Sequence, residues 1–115
     1  MIPTRLHGAI DYLVALILIA APYVLGFADG GPAQYVTIGL GVFVIVYSAL
    51  TNYELGVVKA LSFKAHLVLD VVFALLLMAS PWLFDFSHLI WWPHVLFGIA
   101  ALVVVALSSR SVAAL

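Results

Sequence analysis

"RLHGAID" at residues 5–11 and "KAHLVLD" at residues 64–70 follow one order: a cation, a histidine two residues on, and an aspartate four residues after that. Each opens an apolar run, and the second stands 59 residues after the first. The same shift carries Pro22 onto Pro81, Phe27 onto Phe86 and Gly39 onto Gly98 without a gap. A pair of apolar segments is therefore duplicated, and each copy is one supersecondary unit.

Composition says where those units reside. Of 115 residues 67% are hydrophobic and 8% charged, with a mean hydropathy of +1.30, far from the roughly half apolar and one-quarter charged make-up of soluble domains. So few polar side chains cannot cover a surface facing water, which excludes a soluble monomer. The net charge of −1 and the isolated basic residues exclude a nucleic-acid partner. The absence of cysteine excludes disulfides, thiol catalysis and thiolate-held zinc or iron–sulfur clusters. The first apolar run resembles a secretory signal, but it carries His7 and Asp11, reaches Phe27 and recurs in mid-chain, so it is expected to persist as a helix.

About 20 apolar residues cross a hydrocarbon core of about 30 Å, and windows at 6–27, 33–51, 65–86 and 93–109 qualify. Irregular backbone cannot face lipid. The expected fold is an all-α membrane protein with four transmembrane helices in two tandem hairpins of parallel topology, a first repeat at 1–52, a connection at 53–63 and a second repeat at 64–115. The links "ADGGP" at 28–32 and "DFSHLIWWP" at 85–93 lack Lys and Arg, whereas Arg5, Lys59, Lys64 and Arg110 fall in the leader, the central connection and the tail. The positive-inside rule then makes both termini cytoplasmic. The connection "NYELGVVKALSFK" at 52–64 reads either as a short interfacial helix or as a loop.

Ser80, Pro81 and Trp82 form a tripeptide late in the first helix of the second repeat, with Pro81 eleven residues after Asp70 of the His66–Asp70 pair. With the ordered His, Asp, Pro and aromatic set, this resembles the SPW-repeat membrane proteins over both hairpins. The first copy departs to Ala21, Pro22 and Tyr23, keeping the proline and an aromatic but losing the hydroxyl. The resemblance implies the hairpin architecture and a prokaryotic cytoplasmic membrane, and leaves the activity open.

The His–Asp pairs are the candidate site. At a spacing of four, His7 and Asp11 share a helix face, as do His66 and Asp70. A structural reading has each carboxylate accept from its own histidine, from the other repeat's histidine, or from Arg5 or Lys64 reaching inward, so that a symmetric polar knot fastens the first and third helices. A functional reading starts from the habit of intramembrane ionisable residues to mark ion or ligand sites. His7 and His66 would then hold a haem iron or another metal in an electron-transfer subunit, or Asp11 and Asp70 would serve a proton-coupled carrier of cations or small solutes.

Pro22 and Pro81 remove a helix donor and free the carbonyls of Leu18 and Leu77. They either bend the helix and seat Tyr23 and Trp82 in the outer aromatic belt, or form an outward polar site with Ser80. Gly39, Gly41 and Gly98 are expected at close helix contacts. His88 and His94 read as interfacial residues beside Trp91 and Trp92. No nucleophile–base pair, phosphate loop or zincin pattern points to an enzyme. The sequence thus favours a non-catalytic accessory protein that packs with itself or with a larger membrane complex, needing no cofactor, with the haem or metal subunit and the carrier as alternatives.

Overall fold

A computed structural model describes residues 1–108 of the chain, so Arg110 and the end of the fourth expected window lie outside the described residues. The fold is all-α: α1 Thr4–Val24, α2 Pro32–Ala49, α3 Phe63–Leu83 and α4 Trp92–Leu107. Pro32 sits in the first turn of α2 and Pro93 in that of α4, where the missing N–H is no loss. Ser62 caps α3 by accepting from the Ala65 N–H at 3.1 Å.

The first three helices are long and apolar enough to cross a membrane. Helix α4, at 16 residues, is shorter than the window read from sequence and rises about 24 Å. The bundle measures 44 × 23 × 20 Å, close to the thickness of a bilayer with its headgroups. Its surface is apolar, with Leu13, Leu16, Leu75 and Val103 at least half exposed. The polar side chains Thr4, His7, Thr37, Thr51, His66, Ser80 and His94 are fully buried, the inverse of a protein facing water.

Burial is duplicated residue by residue in the first helix of each hairpin. In α1 the buried positions include Thr4, His7, Gly8, Asp11, Ala15, Leu18, Ala21 and Pro22, and the positions 59 further on are buried in α3. The second helices obey a different register. Gly41 faces Ala15 and Ile19 of α1, and Gly98 faces their counterparts Ala74 and Met78 of α3, so α2 and α4 correspond at a shift of 57 rather than 59. The first copy carries two more residues before its glycine, and they fall in the early part of α2, which starts at Pro32 ahead of Gly41 while α4 starts only at Trp92 ahead of Gly98; the gapless alignment conceals this. Gly98 is therefore the partner of Gly41, and the expected packing role of Gly39 is corrected: a Cβ there would meet nothing within 4 Å.

The two prolines act one turn before the helix ends. Helices α1 and α3 run only two residues past Pro22 and Pro81, then turn back through left-handed residues, Gly26 at φ 80° and Asp85 at φ 58°. The N–H groups of Phe27 and Phe86 donate to the Pro22 and Pro81 carbonyls at 2.9 and 2.8 Å, a glycine-type helix stop in both copies. Tyr23 and Trp82 are 65% and 60% exposed at this end. The outward polar site with Ser80 is not formed, because the buried Ser80 hydroxyl donates to the Leu77 carbonyl at 2.7 Å, the acceptor that Pro81 frees. His94 also departs from expectation. It is fully buried, with Nε2 3.1 Å from the Ala33 carbonyl and its ring between Phe27 and Phe86, whereas His88 is exposed.

The central connection is a loop. The N–H groups of Val57 and Val58 donate to the Ala49 carbonyl at 2.7 and 2.9 Å, and that of Leu61 to Leu50 at 2.7 Å, satisfying the end of α2. The Ile2 N–H does the same for Leu107 at the end of α4, at 2.7 Å.

The register makes Gly41→Ala and Gly98→Ala costly, because the new methyl would lie 2.8 Å from the Ala15 carbonyl oxygen or 2.9 Å from that of Ala74. Each should destabilise by about 1–3 kcal/mol, while Gly39→Ala should be neutral or stabilise by up to about 1 kcal/mol. Thermal unfolding in one detergent checks the contrast, and equal effects at Gly39 and Gly41 would refute the shift of 57. Ser80→Ala should cost about 1–2 kcal/mol, since it strands a buried carbonyl; an unchanged midpoint would show that the Leu77 carbonyl has another donor.

Candidate functional site

The two His–Asp pairs meet. The Nε2 atom of His7 lies 2.9 Å from Asp70 Oδ2 and 3.3 Å from Asp11 Oδ1; that of His66 lies 2.9 Å from Asp11 Oδ2 and 3.3 Å from Asp70 Oδ2. Each histidine thus approaches the carboxylate of the other repeat more closely than its own. The contact follows from the topology: α1 and α3 run parallel and bring equal depths together, so residues four apart on each helix form a ring of four. Both histidines are fully buried, and Asp11 and Asp70 are 7% and 5% exposed.

A second shell of hydroxyls surrounds the ring and obeys the slipped register. His7 Nδ1 lies 2.7 Å from Ser108 Oγ, and His66 Nδ1 lies 2.8 Å from Thr51 Oγ1. Thr51 and Ser108 are 57 residues apart, as are Gly41 and Gly98. Each hydroxyl donates its single hydrogen to the carbonyl one turn back, Tyr47 O at 2.6 Å for Thr51 and Val104 O at 2.5 Å for Ser108. It can therefore only accept from the imidazole, which places a proton on Nδ1 of both histidines and turns both Nε2 atoms toward the carboxylates.

The carboxylates are held by phenols. Tyr47 donates to Asp70 Oδ1, and Tyr53 to Asp11 Oδ2 at 2.8 Å. Tyr53 belongs to the connection, and burial, with the Asp11 charge beside it, pushes its phenol above the ordinary value, keeping it a donor. Phe63 stacks on His66 at 5.6 Å and meets His7 edge-on at 5.3 Å, closing the ring from the end where α1 and α3 begin. Glu54 accepts from Thr4 at 2.9 Å and Leu55 O from Tyr12 at 2.9 Å, pinning the connection to α1.

Arg5 and Lys64 do not reach inward. Both are exposed, and among the described residues the ion pairs to Asp11 and Asp70 come from the histidines. In the first turn of an amphipathic helix their stems point away from the face that carries His and Asp. Beside the ring, among all four helices, lies a cavity of about 50 Å³ whose lining includes Asp11, Val44, Tyr47, Asp70, Phe97 and Val104. A porphyrin has no place at the ring, because the imidazoles are 5.3 Å apart between centroids and share the same carboxylates.

The partners Thr51, Ser108, Tyr47 and Tyr53 were not joined to the ring by the sequence pattern. A signal existed: aligning the glycines of close approach, Gly41 with Gly98, sets Thr51 on Ser108.

Compared with known proteins, residues 5–108 match the SPW repeat domain. Neither the curated proteins nor the solved structures give a significant match.

Thr51→Val deletes the acceptor of a buried imidazole N–H while conserving shape, so it should cost about 1–3 kcal/mol. A comparable loss is expected for Ser108→Ala, and thermal unfolding of both would expose an asymmetric ring if only one mattered.

Proposed function

The chain belongs to the SPW repeat family, and on that premise we propose a structural or accessory role for this small multi-pass membrane protein: a fastened pair of hairpins that packs with its own copies or with a larger complex. The SPW repeat family is not a known enzyme family, and a non-catalytic role fits a site whose carboxylates are engaged by imidazoles and phenols. The reading extends to a prokaryotic cytoplasmic membrane with both termini inside. Arg5, Lys59 and Lys64 support that orientation, since all lie at the end of the bundle where α1 and α3 begin.

The observation that carries the proposal is the crossed ring itself. An Asp at the centre of a lone membrane helix is opposed by about 2.5–3.5 kcal/mol, and a hairpin by itself would have to bear that. Bringing the hairpins together gives each carboxylate an imidazole of the other repeat at 2.9 Å. Association of the repeats and neutralisation of the ring are then one event. The carrier reading finds less support, because His and Tyr side chains already engage both carboxylates.

Thermal midpoints of wild type, Asp11→Asn, Asp70→Asn and the double variant, in one detergent at one pH with a chelator present, test the role. Each single change should cost about 1–3 kcal/mol, and the double should cost clearly less than the sum because both act on one ring. Additive losses, or a midpoint that rises, would sink the fastening role. Sedimentation of the wild-type sample should give a protein mass above one chain if self-packing is part of that role.

A further inference from the structure

The ring has a second chemistry. We propose that His7, Asp11, His66 and Asp70 form a binding site for one divalent first-row transition ion on the axis between the repeats, with zinc the ion that fits best. The inference builds on the fastening role, placing the ion at the centre of the fastened ring.

The donor geometry comes first. One ligand atom from each of the four side chains can be chosen so that all lie within 4.8 Å of one another. A tetrahedral ion with bonds of about 2.0 Å to nitrogen and oxygen separates its ligands by about 3.3 Å. With Asp11 offering Oδ2 and Asp70 offering Oδ2, the His66–Asp70 separation is 3.3 Å already, and those of His7 to Asp70 and His66 to Asp11, at 2.9 Å, need to open by about 0.4 Å.

Lone-pair direction comes next. Thr51 and Ser108 fix a proton of each histidine on Nδ1, so once the two ring protons are displaced the neutral imidazoles aim Nε2 lone pairs at the ring centre. Such a hydrogen bond on the far nitrogen is what orients metal-binding histidines. The phenols of Tyr47 and Tyr53 orient the carboxylates likewise. His66 Nε2 supplies an independent pointer: it is fully buried, lies 2.9 Å from Asp11 Oδ2, and yet has no hydrogen bond of acceptable geometry. A bond to an ion between the side chains would satisfy it.

Charge decides between tenants. Two carboxylates in an apolar bundle need two positive charges. Two protons on the ring supply them, and so does one divalent cation. Exchange of one for the other leaves the net charge of the interior unchanged. Two imidazoles and two carboxylates, with no thiolate, suit zinc, iron(II) or manganese rather than copper(I), and four donors are too few for calcium. The cavity lined in part by Asp11 and Asp70 adjoins the ring.

Cobalt(II) is the probe. The full chain in detergent, stripped by a chelator and dialysed free of it, is titrated with cobalt(II) while visible absorption is recorded. The intense d–d bands of four-coordinate cobalt should appear, saturate at one ion per chain and disappear on adding zinc. His66→Gln and Asp70→Asn should weaken binding at least about tenfold, with folding verified by circular dichroism. Folded wild type that gives no such bands, or binding unchanged in both variants, would overturn the site. If a variant fails to fold, the wild-type spectrum and stoichiometry still decide. A failed titration beside a coupled Asp11 and Asp70 cycle would remove the ion and leave the fastening role standing.

Discussion

Two carboxylates buried in an apolar bundle are the constraint on which the rest of this structure depends. Neither Asp11 nor Asp70 can lie inside its own hairpin without a counter-charge, and the nearest imidazole nitrogen comes from the other repeat. That condition sets the parallel placement of α1 and α3, their equal depth and their register, because a slip by one residue would turn the carboxylates away from the shared ring. Apolar packing alone would not choose this arrangement. Lipid competes for every apolar face, so helix association in a membrane depends on close backbone approach and on polar contacts. The chain uses both, with Gly41 and Gly98 closing each hairpin and the ring closing the pair.

The SPW tripeptide has a local physical account. Proline near the end of α3 removes a donor and leaves the Leu77 carbonyl open at a fully buried position. The serine before it supplies the missing hydrogen at 2.7 Å, and the tryptophan after it is 60% exposed. The three residues thus end a membrane helix without leaving a bare acceptor in the apolar interior. In the first repeat Ala21 provides no hydroxyl, and there Gly26 takes the left-handed turn that Asp85 takes in the second. The copies strike the same helix stop with the burden of polarity and strain placed on different residues.

What could be read from the sequence follows the same geometry. The helix count, the membrane class, the repeat and the four ring residues were legible, because α1 and α3 keep one gapless shift and because ionisable residues stand out in apolar runs. The outer partners were not, for a definite reason. Thr51, Ser108, Tyr47 and Val104 lie beyond the start of the second helices, where α2 carries extra residues that α4 lacks, so a shift fixed on α1 and α3 pairs them wrongly. Tyr53 lies in a connection with no helical period to orient it. His94 read as interfacial because it neighbours two tryptophans, but the first turn of α4 rotates it inward between Phe27 and Phe86, while Trp91 and Trp92 remain about half exposed.

The departure from two-fold symmetry shows how far the copies depend on each other. Asp70 receives the phenol of Tyr47 from α2, but the corresponding residue of α4 is Val104, which has nothing to donate. Asp11 instead takes its phenol from Tyr53 in the connection, and the space left by the smaller valine contributes to the cavity that Val104 and Asp11 line together. The second repeat has no tyrosine at this position, and the segment joining the repeats supplies the phenol instead. Two identical hairpins, each with a tyrosine in α2, could build a symmetric ring as separate chains. With that donor in the connection, covalent linkage is part of the site, and the first repeat's carboxylate depends on a residue outside both hairpins.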